Sequence, residues 1–330
     1  MTAPTLHPAT RDGRNGAEQA GEPPRLTASR RNKRRFGADW KMAWAFVVPF
    51  LALFVVFHLV PVFYALWQSF HGVEKSGGLG FTKPSVIFVG LDNYAEALTD
   101  EGFLRSVGRV LLYGVVQVPV MLGLALVMAL IFDTAIVRMR SLFQLAAFLP
   151  YAVPGIIASI LWAFLYLPGV SPVLDLLDGA GAHIDFLAPG SVLWSIANIS
   201  TWQWTGYNMI IIFAALQAIP RDLFEAARID GATNWQIAWR IKVPLVAPAI
   251  LITGLFSVVG TLQLFSEPTV LRTITNNVTY NYTPNMIVYN LAFGSNQPYY
   301  SAAVAVVIAI GAFLLSFGFL RVLQRRNPDE

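Results

Sequence analysis

The chain has 330 residues, 55% hydrophobic and only 13% charged, with a formal net charge of +4. Soluble domains carry roughly 25% charged residues, so this deficit, together with a mean hydropathy of +0.56, excludes an ordinary soluble enzyme and a disordered chain. The charges crowd into the N-terminal stretch and a few short segments between long apolar runs, the pattern of an all-α polytopic membrane protein.

With no cysteine, the chain has no disulfide, thiolate metal site, iron–sulfur cluster or cysteine nucleophile. His7, His58, His71 and His183 are too scattered for a histidine-rich metal centre, and no lysine follows a glycine, so the phosphate-cradling Gly-Lys-Ser/Thr loop is missing. The residues therefore predict no metal, no cofactor and no catalytic group.

Residues 1–42 read as a disordered basic tail, polar and without periodicity. Its run Arg30-Arg31-Asn32-Lys33-Arg34-Arg35 stands just before the first apolar span, where it sets topology rather than binding nucleic acid. Residues 43–323 read as one membrane domain with six spans, at about 43–69, 107–132, 142–167, 192–217, 245–266 and 302–322. Each supplies the about 20 helical residues that a bilayer core requires. Pro49, Pro61, Pro119, Pro150 and Pro154 fall inside spans and read as kinks. Residues 324–330 form a short second tail.

Basic residues orient the spans. With the N-terminus in the cytoplasm, eighteen of the twenty-three Lys and Arg residues are inside. They lie in the N-terminal tail, in loops 133–141 and 218–244, and at the C-terminus. Lys75, Lys83, Arg105 and Arg272 are left outside, and Arg109 just within the second span. This bias predicts a multi-pass cell-membrane protein with cytoplasmic termini and membrane lipid as a partner.

The 218–244 loop is too long for a turn and too regular for a linker. Pro220 and Asp222 suit the start of a helix, and Gly231 suits a left-handed cap at its end. Thr233 or Asn234 then caps a second short helix carrying Trp235 and Trp239, which Pro244 ends. This helix–turn–helix, between the fourth and fifth spans, suits either a headgroup-level element or a docking site for a cytoplasmic protein.

The stretch Glu225-Ala226-Ala227-Arg228-Ile229-Asp230-Gly231-Ala232, with Ile241, Pro244 and Pro248 after it, resembles the coupling loop of ATP-binding cassette (ABC) importer permeases. Pro49 with Tyr64 and Ser69-Phe70, the segment Phe88-Val89-Gly90-Leu91-Asp92-Asn93-Tyr94, and Leu149-Pro150 with Pro154 and Trp162 extend the resemblance over 43–323. They are similar to the binding-protein-dependent sugar permeases of the maltose and glycerol-3-phosphate type. The chain departs from them at Leu271-Arg272-Thr273-Ile274-Thr275-Asn276-Asn277, where a Thr-x-Gly-Gly-Pro stretch is common.

The resemblance implies a second homologous permease subunit, a cytoplasmic ABC ATPase dimer that carries the hydrolysis, and an extracytoplasmic solute-binding protein that delivers a di- or oligosaccharide. It implies ATPase coupling through Glu225, Ala226, Ala227, Asp230 and Gly231. The small alanines permit close approach, Glu225 pairs with a basic group and Gly231 permits the turn.

Polar residues mark the place for a solute. Gln203 with Tyr207, and Trp204 with Asn208 on the neighbouring stripe, follow i, i+4 spacing in the fourth span. In the fifth, Ser257 and Thr261 share a stripe with Gly260 and Gln263 beside it. An uncharged pocket of rings, hydroxyls and amides suits a sugar, whose faces are apolar and edges polar. The resemblance places the pocket on the same stretches, above all on Trp204, Tyr207, Ser257 and Thr261. An ion-coupled carrier is the alternative, but such carriers usually need carboxylates or histidines within the membrane; of the acidic residues only Glu267, at the outer end of the fifth span, comes near, and His58 in the first span reads as a packed or pore-lining residue.

Overall fold

A computed structural model describes residues 36–74, 85–134 and 139–324. Most of the expected N-terminal tail and the last six residues lie outside these, as do Lys75, Lys83 and Arg138. The chain divides into two units, one ending at Leu59 and one beginning at Val60.

In the first unit, α1 (Phe36–Phe54) passes into a π-helical turn, Val55–Leu59. It begins seven residues before the expected span. Pro49 lies within α1 without ending it, and the His58 ring stacks on Phe54 with centroids 5.1 Å apart. From Met42 onward its side chains are exposed, as suits a helix that meets lipid or another subunit.

The second unit contains α2 (Val60–Ser69), a ribbon of β1 (His71–Glu74) and β2 (Ser85–Phe88), α3 (Asp92–Thr99) and the long α4 (Glu101–Asp133). The strands are antiparallel, with His71 opposite Phe88. This ribbon corrects the all-α expectation: two short segments beyond the apolar span satisfy their backbone groups by pairing. The Phe88–Tyr94 segment then locks it to the helices. The amides of Val89 and Gly90 donate to Phe70 O at 2.9 and 3.2 Å, and Asn93 Nδ2 donates to Ser69 O and His71 O, each at 2.9 Å.

The third expected span, 142–167, is not one helix. It is α5 (Arg140–Ala152) and α6 (Gly155–Tyr166), bent by 98°. Pro154 has no N–H to donate and pushes Val153 out of helical geometry, so Val153 is extended. Gln203 Nε2 donates to the freed Val153 carbonyl at 2.8 Å, which is how a helix break is tolerated in an apolar setting. The simple-kink reading of Pro154 is thereby corrected.

The remaining helices are α7 (Pro172–Gly179), α8 (Val192–Gln217), α9 (Asp222–Ile229), α10 (Asn234–Ile237), α11 (Val243–Leu262), α12 (Ser266–Leu271), α13 (Pro284–Tyr289) and α14 (Pro298–Gln324). Among the described residues, four helical stretches are long and apolar enough to cross a membrane: Met42–Ser69, Glu101–Asp133, Asn234–Leu271 and Pro298–Arg321. The α5–α6 pair makes a fifth if it is taken as one span. The polar run through Trp202-Gln203-Trp204 and Tyr207-Asn208 dilutes the hydropathy of α8.

α8 is nevertheless the centre of the unit, packed along α4 and against α5 and α11. Ala125 and Ala129 of α4 are fully buried where they meet Met209, Ile212 and Leu216 of α8. Small residues at such contacts let helices approach closely in lipid, where apolar burial alone gives little association. α5 crosses still nearer: a Cβ on Gly206 of α8 would stand 1.8 Å from the Ala147 carbonyl oxygen. On the other end, Tyr113, Tyr166, Ile196, Ile199 and Leu271 form a second core. Arg109 fastens the loop after α12 to it, donating to Tyr282 O at 2.6 Å with its guanidinium 4.2 Å from the Tyr282 ring. Burial raises the Tyr282 phenol above its ordinary pKa, and the Arg109 charge opposes that shift.

Candidate functional site

α4, α8, α11 and α12 line a partly open cavity of about 380 Å³. That is within the roughly 300–1,000 Å³ usual for small-molecule sites. Trp204, Tyr207, Asn208, Ser257, Thr261 and Gln263 all line it. The two stripes read from the sequence thus face one space.

Their side chains differ in availability. Trp204 is 41% exposed, and its ring meets Tyr207 edge-on at 5.8 Å. Tyr151, from the end of α5, completes this cluster, stacked on Tyr207 at 4.6 Å and edge-on to Trp204 at 5.2 Å. Asn208 is 2% exposed, and its amide donates to Trp204 O at 3.0 Å. Ser257 and Thr261 donate back to Thr253 O and Val258 O at 2.8 and 2.7 Å. Their oxygens keep lone pairs for a solute hydroxyl. Thr261 sits where α4 comes close, 3.1 Å from the place a Cβ on Gly114 would take.

Of the lining groups outside the sequence-derived set, four bear on its chemistry. Tyr113 and Gln117 project from α4, and Ser200 lies one turn before Trp204 on α8. Their i, i+4 spacing in otherwise apolar helices is the signal that marks them. The fourth is Glu267. α11 stops at Leu262 and the chain re-enters helix at Ser266, which puts Glu267 on the cavity wall. Ser200 Oγ donates to Glu267 Oε1 at 3.3 Å. The pocket is therefore not uncharged, as the sequence suggested, but carries one carboxylate.

The 218–244 segment forms a second feature. α9 starts at Asp222, with Pro220 two residues ahead of it, and has no buried residue. Leu223 is 49% and Ile229 87% exposed, and Glu225, Ala226 and Asp230 also face outward, with Ala227 half-buried. Gly231 has φ +83°, a left-handed turn that costs little without a Cβ. Thr233 caps α10 in a reciprocal capping box with Gln236, its Oγ1 accepting from Gln236 N at 3.3 Å and its amide donating to Gln236 Oε1 at 2.8 Å. Pro244 does not end this helix. A π-type turn at Ala238–Lys242 absorbs the proline, which then sits in the first turn of α11.

A half-buried ion pair holds the segment in place, and no local pattern in the residues announces it. Lys242 pairs with Asp133 at the end of α4, their side chains 14% and 10% exposed. Gln217, ending α8, donates to Asp133 Oδ1 at 2.7 Å, and the Lys242 ammonium lies 4.9 Å from the centre of the Phe224 ring of α9. The ends of three helices thus meet at one charge pair.

Comparison with known proteins agrees with this architecture. Residues 100–327 match the family described as "Binding-protein-dependent transport system inner membrane component". The lactose transport system permease protein LacF of Rhizobium radiobacter is 34% identical over 83% of this chain and 91% of its own. The sn-glycerol-3-phosphate transport system permease protein UgpA of Agrobacterium fabrum is 32% identical over 86% and 95%. Among solved structures, a bacterial ABC transporter that imports the acidic polysaccharide alginate shares the fold, with a TM-score of 0.75 at 21% identity over 88% of this chain and 98% of that one. A chain with this helical scaffold, matched by that family over more than two thirds of its length, belongs to the binding-protein-dependent transport system inner membrane components, the permease subunits of ABC importers.

Proposed function

We propose that this permease carries a di- or oligosaccharide, delivered from outside by a solute-binding protein, through the cavity between α4, α8 and α11. The observation that carries this is the wall itself: aromatic faces at Trp204 and Tyr207 opposite hydroxyl and amide groups at Ser257, Thr261 and Gln263. Rings bind the apolar faces of a sugar, and the polar groups meet its edge hydroxyls. The match to a lactose permease supports the substrate class.

The expected result of replacing Trp204 or Tyr207 by Ala is a rise of roughly tenfold or more in the concentration for half-maximal uptake, since burying an aromatic side chain contributes about 1.5–3 kcal/mol. ATP hydrolysis stimulated by the binding protein persists, because the 218–244 segment is untouched. Uptake and ATPase rates of Ala variants at 204, 207, 257 and 261, normalised to membrane protein, decide the matter. Wild-type uptake in all four rules the pocket out.

The proposed topology has six membrane crossings, with α5–α6 and α8 each crossing in addition to the four apolar stretches. Both termini are cytoplasmic, and α9 to α10 lies on the cytoplasmic face. There α9 docks on one subunit of an ATPase dimer, and a second permease completes the pathway. The concentration of basic residues on one side supports this orientation. Reporter fusions after residues 180 and 285 read outside, and fusions after 136 and 232 read inside. Reversal at any two sites defeats the arrangement.

A further inference from the structure

Among the described residues, Glu267 is the only acidic one on the cavity wall, and no Lys, Arg or His stands with it there. Its one side-chain hydrogen-bond partner among them is Ser200, at 3.3 Å, and no basic side chain of theirs bridges to it. A carboxylate held among apolar helices without a cation is unfavourable. A solute that supplies hydrogen-bond donors relieves that cost.

We propose that Glu267 selects the charge of the cargo. Its carboxylate accepts hydrogen bonds from solute hydroxyl or ammonium groups and repels anions, so the cargo is a neutral or cationic polyhydroxylated molecule rather than an acidic sugar or a phosphate ester. The inference rests on the cavity being the translocation path. Its physical basis is the reduced dielectric screening between helices, where a fixed charge acts on a solute several ångströms away far more strongly than in water. A neutral sugar meets this group as an acceptor for one or two hydroxyls. An anion meets a repulsive element that no neighbouring cation offsets, which is the kind of device that builds specificity against a competitor.

The absence of cysteine in the chain allows a direct test. Gln263→Cys places one thiol of this chain on the exposed part of the same wall. In the assembled transporter, with its ATPase and partner permease, the thiol is treated with a cationic methanethiosulfonate bearing a trimethylammonium group or with an anionic one bearing a sulfonate. Each reagent transfers its alkylthio group to the thiolate, forming a disulfide and releasing methanesulfinate. Rates measured with the Cys-free chain are subtracted as the contribution of the partners. The ratio of cationic to anionic rates cancels any effect of Glu267 on the ionisation of the thiol itself.

The expected result is that Glu267→Gln lowers this ratio by about tenfold or more, as removal of a nearby charge at intermediate dielectric requires. Glu267→Asp, which keeps the charge, preserves the ratio. An unchanged ratio in Glu267→Gln, with the introduced thiol still reactive, overturns the inference and leaves the pathway intact. A thiol that reacts with neither reagent in the assembled transporter, yet does so once the protein is denatured, defeats the pathway reading and this inference with it.

Discussion

A transporter whose permease carries Glu225→Lys together with Ala227→Asp inserts into the membrane and imports nothing. Helix α9 buries none of its own residues and exposes Leu223 and Ile229, so neither altered position belongs to the buried core of the permease. In the proposed complex the same helix lies in a groove of the ATPase. There the carboxylate introduced in place of Ala227 would be an unpaired charge within an apolar contact. The ammonium introduced in place of Glu225 would face the basic group that the native carboxylate met. Burying an uncompensated charge costs about 3–5 kcal/mol, a loss of at least a hundredfold in affinity at about 1.4 kcal/mol per decade. The effect reaches the pathway because α9 is joined to the spans: the Lys242–Asp133 pair ties the Phe224 ring to the ends of α4 and α8. The measurement is co-purification of the ATPase with the double variant, alongside solute uptake and membrane protein level. Retained ATPase and normal uptake together refute docking through α9.

Gly206→Val has an effect of similar size for an unrelated reason, and it acts on folding. The first added carbon would stand 1.8 Å from Ala147 O and 2.5 Å from its carbonyl carbon. Both belong to backbone, so no side-chain rotation relieves the clash. α5 must move away from α8. That separates Tyr151 from Trp204 and Tyr207 and draws the Val153 carbonyl from Gln203. Overpacking typically costs about 1–3 kcal/mol, and the lost contacts add to it. Thermal stability of the purified protein in detergent falls sharply, or no folded protein is recovered. Gly108→Ala is the control: nothing lies within 4 Å of the position its Cβ would take, and a helical Gly→Ala change is neutral or stabilising by up to about 1 kcal/mol. Equal stability of the two variants contradicts the tight crossing of α5 and α8.

Much of the architecture was legible in the residues because the membrane imposes simple rules. Long apolar runs mark helices, since in lipid the backbone must satisfy its own hydrogen bonds. The runs around 107–132 and 302–322 lie within α4 and α14. Local chemistry was legible as well. Gly231 takes the left-handed turn, and Thr233 caps the helix after it. Helical periodicity also placed Trp204 and Tyr207 on one face of α8, and Ser257 and Thr261 on one face of α11.

What the sequence determined by itself was the class of protein, the polar stripes and the turn chemistry of the 218–244 segment, because these depend on composition and on neighbours within one or two helical turns. The tertiary structure decided the rest. It showed that Pro154 breaks a span by 98° rather than kinking it, because only the approach of Gln203 from α8 satisfies the carbonyl that a break exposes. It paired Asp133 with Lys242 across 109 positions of sequence, and brought Tyr151 to the aromatic cluster. It put Glu267 on the cavity wall, because α11 stops at Leu262 and the chain re-enters helix only at Ser266. Each of these depends on which helices become neighbours, and periodicity along a single helix carries no information about that.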